Sequence, residues 1–101
     1  MSSIWRNKRI VITGGGGFLG THLVKEFQKR GATKIIIPRH HEYDLRLQKT
    51  CNKVTQRAQI VIHLAGNVGG IGYNQANPAT LFYDNLMMGV NLIEACRQNL
   101  G

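Results

Sequence analysis

Two features of this 101-residue sequence predict an open, doubly wound α/β fold. Short β-branched runs, Ile10–Ile12, Ile35–Ile37 and Ile60–Ile62, alternate with stretches of helical periodicity. Runs of this kind mark strands buried on both faces, and strands separated by helices need right-handed crossovers that leave them parallel. The first run is also stopped by four consecutive glycines, Gly14 to Gly17, that lead straight into a helical pattern. The expected architecture is a partial parallel sheet of three or four strands with flanking helices.

The first strand covers Lys8–Thr13. A helix follows from Gly17 to Arg30, with Phe18, Leu19, Leu23, Val24 and Phe27 at helical spacing and Gly31 as its stop. Lys34–Ile37 is the second strand, ended by Pro38. Glu42–Leu45 is a candidate for a very short strand. Leu45–Arg57 reads as a polar helix that turns Leu45, Leu47, Cys51 and Val54 inward, and Gln59–Leu64 as a further strand. After a Gly/Asn-rich loop from Ala65 to Asn77, Asn77 can cap a helix that begins at Pro78, where a first-turn proline is tolerated. Phe82, Leu86, Val90, Ile93 and Cys96 then recur at three- and four-residue steps, which predicts a packed helix face.

Composition narrows the function. The longest apolar runs are far too short for a membrane span, and the N-terminus lacks the apolar stretch of a secretory signal. Two cysteines, Cys51 and Cys96, give neither a disulfide framework nor metal-ligand spacing, and read as reduced thiols of a cytoplasmic protein. No metal site is expected. Twelve of the 13 Lys and Arg residues fall in residues 1–57, against Glu26, Glu42 and Asp44 alone. That imbalance fits a nucleic-acid surface, the wet faces of two helices, or a half of the domain that attracts a phosphorylated ligand. Base-stacking aromatics do not interleave with the basic residues, so no nucleic-acid partner is expected.

The glycine loop, Thr13-Gly-Gly-Gly-Gly-Phe-Leu-Gly20, contains G-x-G-x-x-G at Gly15, Gly17 and Gly20 and G-x-x-G-x-x-G at Gly14, Gly17 and Gly20. Glycines permit a tight turn, let a pyrophosphate lie on bare backbone, and let helix and strand pack closely, as in a Rossmann-type domain. The helix N-terminus adds free N–H groups and partial positive charge. About 20 residues beyond such glycines, NAD binders carry an acid that reads the ribose. This chain has Pro38-Arg39-His40-His41 there. An arginine accommodates a 2′-phosphate, so Arg39 argues for NADP, with NAD as the other possibility. Without partners at metal spacing, His40 and His41 read as loop residues.

Thr13–Gly20, Val61-Ile-His-Leu-Ala-Gly66 and Asp84-Asn-Leu-Met-Met-Gly89 together resemble the extended short-chain dehydrogenase/reductases, the NAD-dependent epimerase/dehydratases. Asn67-Val-Gly-Gly-Ile-Gly72, Asn77-Pro78 and Phe82-Tyr-Asp-Asn85 are similar to the GDP-L-fucose synthase branch, which converts GDP-4-keto-6-deoxy-mannose by epimerisation and NADPH-dependent reduction. The resemblance covers residues 8–101. It implies that Gly14, Gly17, Phe18, Leu19 and Gly20 hold the pyrophosphate and that Arg39 faces the 2′-phosphate. By the same resemblance Asp44 and Leu45 border the adenine, and Leu64, Ala65 and Gly66 pass under the ribose and nicotinamide. Val68, Gly69, Gly70 and Ile71 would approach the nucleotide-sugar substrate, and Asn85 would be a structural helix residue near the active site. Two positions depart from the branch, which often has a lysine at Asn67 and in some members an arginine at Gly15 or Gly16.

Family members catalyse with a Tyr-x-x-x-Lys step that places both side chains on one helix face. Tyr43, Tyr73 and Tyr83 are followed four places on by Leu47, Asn77 and Met87, so none fits. No catalytic residue is assigned. The expectation is an N-terminal portion of a dinucleotide-binding domain, residues 1–101, without the catalytic and substrate parts, from an enzyme that is a homodimer when complete. Two other readings stay open: a relative acting on another nucleotide sugar, and a binding module that holds the dinucleotide without catalysis.

Overall fold

The computed structural model describes residues 4–39, 41–66 and 76–100. The β-branched run after Lys8 forms strand β1, Arg9–Thr13, the backbone these stiff side chains prefer. It lies between β2 (Lys34–Ile36) and β3 (Ile60–His63) in a three-stranded parallel sheet of order β2-β1-β3. Ile10 stands opposite Ile35 and Ile60, and Val11 opposite Ile36 and Val61. The chain steps from β1 to one side, then crosses back to the other. That reversal makes the C-terminal ends of β1 and β3 the switch point, the crevice at which doubly wound sheets bind ligands.

Alternation along β1 divides the core in two. Ile10 and Ile12 are fully buried with Leu23, Val24 and Phe27 of helix α1 (Phe18–Lys29), and the Trp5 ring stands edge-on to Phe27 at 5.2 Å. On the other face, Leu45, Cys51, Leu92 and Ala95 pack with Val54, Val61 and Met88, between helices α2 (Gln48–Val54) and α3 (Pro78–Asn99). Gly31, with φ 102°, stops α1 by taking a conformation that other residues avoid. The result is a partial Rossmann-like α/β fold. No helix among the described residues is long and apolar enough to cross a membrane.

Five expectations need correction, four of them local. The expected strand at Glu42–Leu45 is a turn. The Arg39 carbonyl accepts the N–H groups of Glu42 and Tyr43, and the Asp44 carboxylate accepts that of Arg46 at 3.0 Å, so local bonds replace a sheet ladder. Leu47 points outward, because it is the extended N-cap residue of the shorter helix α2 and lies outside the helical period. Phe18 and Leu19 are exposed in the first turn of α1, and its packed face begins at Leu23. Asn77 occupies the N-cap position of α3 without a side-chain capping bond.

The largest correction concerns α3. Phe82, Leu86, Val90 and Ile93, read as its packed face, are exposed, and Cys96 is only half-buried. The buried side carries Asp84, Asn91, Leu92 and Ala95 instead. Polar anchors choose it. The Arg46 guanidinium meets Asp84 at 3.2 Å, and the Asn91 amide donates to the Arg46 carbonyl at 2.7 Å. Gln48 donates to the Asn91 carbonyl, and Asn99 donates to Thr55 Oγ1 at 2.8 Å. Turning the apolar stripe inward would give up these bonds, each worth about 0.5–1.5 kcal/mol net. Between β3 and α3 this leaves an apolar cavity of about 250 Å³, lined by Val61, His63, Gly89, Leu92, Ile93 and Cys96.

The two stripes of α3 give a direct test. Leu92→Ala should lower unfolding free energy by about 2–5 kcal/mol in urea titrations, whereas Phe82→Ser should stay within about 0.5 kcal/mol. The opposite order would show that the Phe82 stripe is the packed one.

Candidate functional site

The crevice is built from three segments that meet without intervening side chains. Gly14 takes φ 72°, and a Cβ there would lie 2.7 Å from both the Leu64 carbonyl carbon and the Ala65 nitrogen. A Cβ on Gly20 would strike the Gly14 carbonyl oxygen and come within 2.7 Å of Gly15 Cα. A Cβ on Gly15 would press on the Ile37 side chain at 2.9 Å. Real side chains almost never approach backbone so closely, so Gly14 and Gly20 are required by packing alone.

Gly17 differs. Its backbone is extended, with φ −79°, so no left-handed conformation requires glycine here. A Cβ would meet only the Gly14 carbonyl, at an ordinary 3.4 Å. Gly17 is the N-cap of α1, and its carbonyl accepts bonds from the Thr21 N–H and hydroxyl. It supplies no capping side chain, and the first turn of α1 carries no acid. The leading N–H groups of any helix lack intrahelical acceptors. Here they open, with exposed Gly16, Gly17, Phe18 and Leu19, onto the surface beside the crevice.

Thr13 closes the floor. It is fully buried, and its hydroxyl accepts the N–H groups of Leu64 and Ala65, each at 3.1 Å. The Leu64 N–H is shared with the Thr13 carbonyl at 3.0 Å, and the hydroxyl lies 2.6 Å from His63 Nδ1. Partial burial of the ring holds the His63 pKa below its ordinary value. His63 is the last residue of β3 and is exposed there, with its ring tied at one edge.

Arg39 follows buried Pro38, and its side chain lies over the glycine loop, where a Cβ on Gly16 would run into the guanidinium. The five carboxylates of the sequence engage other groups: Glu26 with Arg30, Glu42 with the His41 ring, Asp44 and Asp84 with Arg46, and Glu94 with Arg97. Among the described residues Arg39 therefore has no acidic competitor. Asp44 accepts from Nε and Nη2 of Arg46, at 3.0 and 2.9 Å, which holds its carboxyl below the usual range. Leu45 is 5% exposed and packs with Cys51, Leu92 and Ala95 in the core. Leu64 and Ala65 are half-buried and Gly66 is exposed. Asn67, Val68, Gly69, Gly70, Ile71 and His40 lie outside the described residues.

Neither thiol is poised to react. Burial pushes Cys51 up to about 11 and also raises Cys96. Sequence patterns did not single out Thr13, Arg46 or the contact of Gly16 with Arg39. Thr13 sits in a motif noted for its glycines, and the other two pairings come from chain segments far apart in sequence or loop.

A model of the NAD dependent epimerase/dehydratase family matches residues 10–101. GDP-mannose 3,5-epimerase of Arabidopsis thaliana is 33% identical over 92% of this chain and 28% of its own length. GDP-L-fucose synthase of Azorhizobium caulinodans is 34% identical over 87% of this chain and 28% of its own. A Campylobacter jejuni GDP-mannoheptose C4 reductase, solved with NADP bound, superposes with a TM-score of 0.87 at 31% identity, covering 97% of this chain and 30% of that one. The chain thus spans less than a third of the length of these relatives. It belongs to the NAD dependent epimerase/dehydratase family.

The glycine geometry separates packing from ligand space. Gly20→Ala should destabilise the fold by about 1–3 kcal/mol, because backbone atoms must move, while Gly17→Ala should give up only a tolerated N-cap residue, at a cost of at most about 1 kcal/mol. Thermal melts followed by circular dichroism measure both. Equal losses would mean that the two glycines serve packing alike.

Proposed function

We propose that this member of the NAD dependent epimerase/dehydratase family is the NADP-holding, N-terminal portion of an enzyme that acts on a GDP-linked sugar. The observation that carries the cofactor choice is Arg39, laid over the glycine loop beside an uncapped, acid-free helix N-terminus. The residues fit the group. Gly14 and Gly20 bring bare backbone to the crevice, Gly17 leaves space above it, and the first N–H groups of α1 suit a pyrophosphate. Phe18 and Leu19 flank that space, with Leu64, Ala65 and Gly66 along the end of β3. The Arg39 guanidinium would take the 2′-phosphate through its planar fork of donors. A bound nicotinamide dinucleotide supplies hydride transfer to or from a sugar carbon.

Substrate class is supported by the relatives, whose names are those of GDP-mannose, GDP-fucose and GDP-heptose enzymes. The Val68–Ile71 segment favours GDP-L-fucose synthase chemistry on GDP-4-keto-6-deoxy-mannose. A GDP-mannose epimerase is the second reading, favoured by a relative of nearly equal identity over slightly more of the chain. Neither chemistry is assigned to side chains of residues 1–101. No tyrosine has a lysine four places on, and both thiols are held in their unreactive form. The complete enzyme is proposed to be a cytoplasmic homodimer.

Titration of the chain with NADPH and NADH tests this reading. NADPH should bind about ten- to a hundredfold more tightly, and Arg39→Asp should reverse the order, as a charge-assisted contact of about 1.5–3 kcal/mol implies. Gly17→Val should remove both affinities while the circular dichroism spectrum stays that of the folded chain. Equal affinities in the unmodified chain would overturn the choice of NADP, and no affinity for either would overturn the dinucleotide reading.

A further inference from the structure

We infer that Gly16 is the seat on which Arg39 rests, and is thereby a second specificity-determining residue for the cofactor's 2′-phosphate; this rests on the NADP reading above. Among the described residues, a side chain begun at Gly16 would meet only Arg39: Nη1 blocks the Cβ position, and the guanidinium carbon lies 3.6 Å from it. The neighbouring glycines answer to different demands. Gly14 and Gly20 are confined by backbone, and Gly15 by the Ile37 side chain. Gly16 is exposed and is not among the residues with positive φ, so neither packing nor conformation requires glycine there. Only the position of Arg39 does.

The arginine's base is fixed while its tip is not. Pro38 is buried, and the Arg39 carbonyl accepts the N–H groups of Glu42 at 3.0 Å and Tyr43 at 2.9 Å. The exposed side chain can therefore move only by swinging its guanidinium away from the loop. A methyl at residue 16 would force that swing at little cost to folding, because the obstructed atom ends a flexible side chain. The cost would fall on a ligand whose phosphomonoester needs the fork of donors at that point. A dinucleotide with a plain ribose makes no such demand.

Calorimetric titration of the full chain with NADPH and NADH, across Gly16→Ala, Arg39→Ala and the double variant, reads this coupling. Gly16→Ala should weaken NADPH by about three- to tenfold and leave NADH within about twofold. In the Arg39→Ala background the same change should affect neither cofactor. Gly16→Ser should repeat the result, and the thermal midpoint should not move in either variant. Unchanged NADPH affinity in Gly16→Ala, or an equal loss for both cofactors, would overturn the inference. So would a loss that persists without Arg39. An unmodified chain that prefers NADPH but ignores Gly16→Ala overturns this inference alone. One that binds neither cofactor overturns the NADP reading and the inference with it.

Discussion

Backbone pressed on backbone at the head of β1 is the constraint on which the rest of the structure depends. Gly14 faces the Leu64–Ala65 peptide and Gly20 faces Gly14 and Gly15, each at distances that leave no room for a Cβ. Because those contacts hold, α1 starts directly at the end of β1 and its N-terminus opens onto the crevice. Because β3 ends against the same loop, the Thr13 hydroxyl reaches two N–H groups of the β3 extension and the His63 ring at once. A side chain at either glycine would part strand, loop and helix together. The same bare surface is what a pyrophosphate can approach.

Charge follows the same geography. With every carboxylate engaged elsewhere, the basic excess of the first half is uncompensated near the loop, and Arg39 is the cation that the structure lays across it. Lys25, Lys29, Lys49 and Lys53 are exposed on α1 and α2, as solvated helix faces would be. The exposed lysines fit the reading of wet helix faces, whereas the phosphate reading of the basic half rests on the position of Arg39 over the loop.

Much of this was legible in the sequence, for identifiable reasons. A β-branched run followed by glycines has few structural solutions, so β1, the loop, α1 and the stop at Gly31 could be read in order. Helical periodicity also located α3, but it could not choose between two stripes. Phe82, Leu86, Val90 and Ile93 form the more apolar one, yet Asp84 and Asn91 decide the orientation through bonds to Arg46, 38 and 45 residues away. Such partners are invisible to a local pattern. The turn after Arg39 was misread for a related reason: Asp44 bonds to the backbone two residues on, which competes with strand formation. In the site, glycine spacing pointed to the loop, but only coordinates distinguish Gly14 and Gly20, which packing demands, from Gly16 and Gly17, which it does not.

The central claim is that the Gly14–Gly20 loop, Arg39 and the end of β3 form one dinucleotide site. Amide chemical-shift mapping of the ¹⁵N-labelled chain during titration with NADP⁺ tests it most directly. The account predicts saturable shifts concentrated at Gly15–Gly20, Arg39 and Leu64–Gly66, with the exposed Phe82–Ile93 stripe unmoved. Shifts centred on that stripe, or none at all at millimolar NADP⁺, would contradict it.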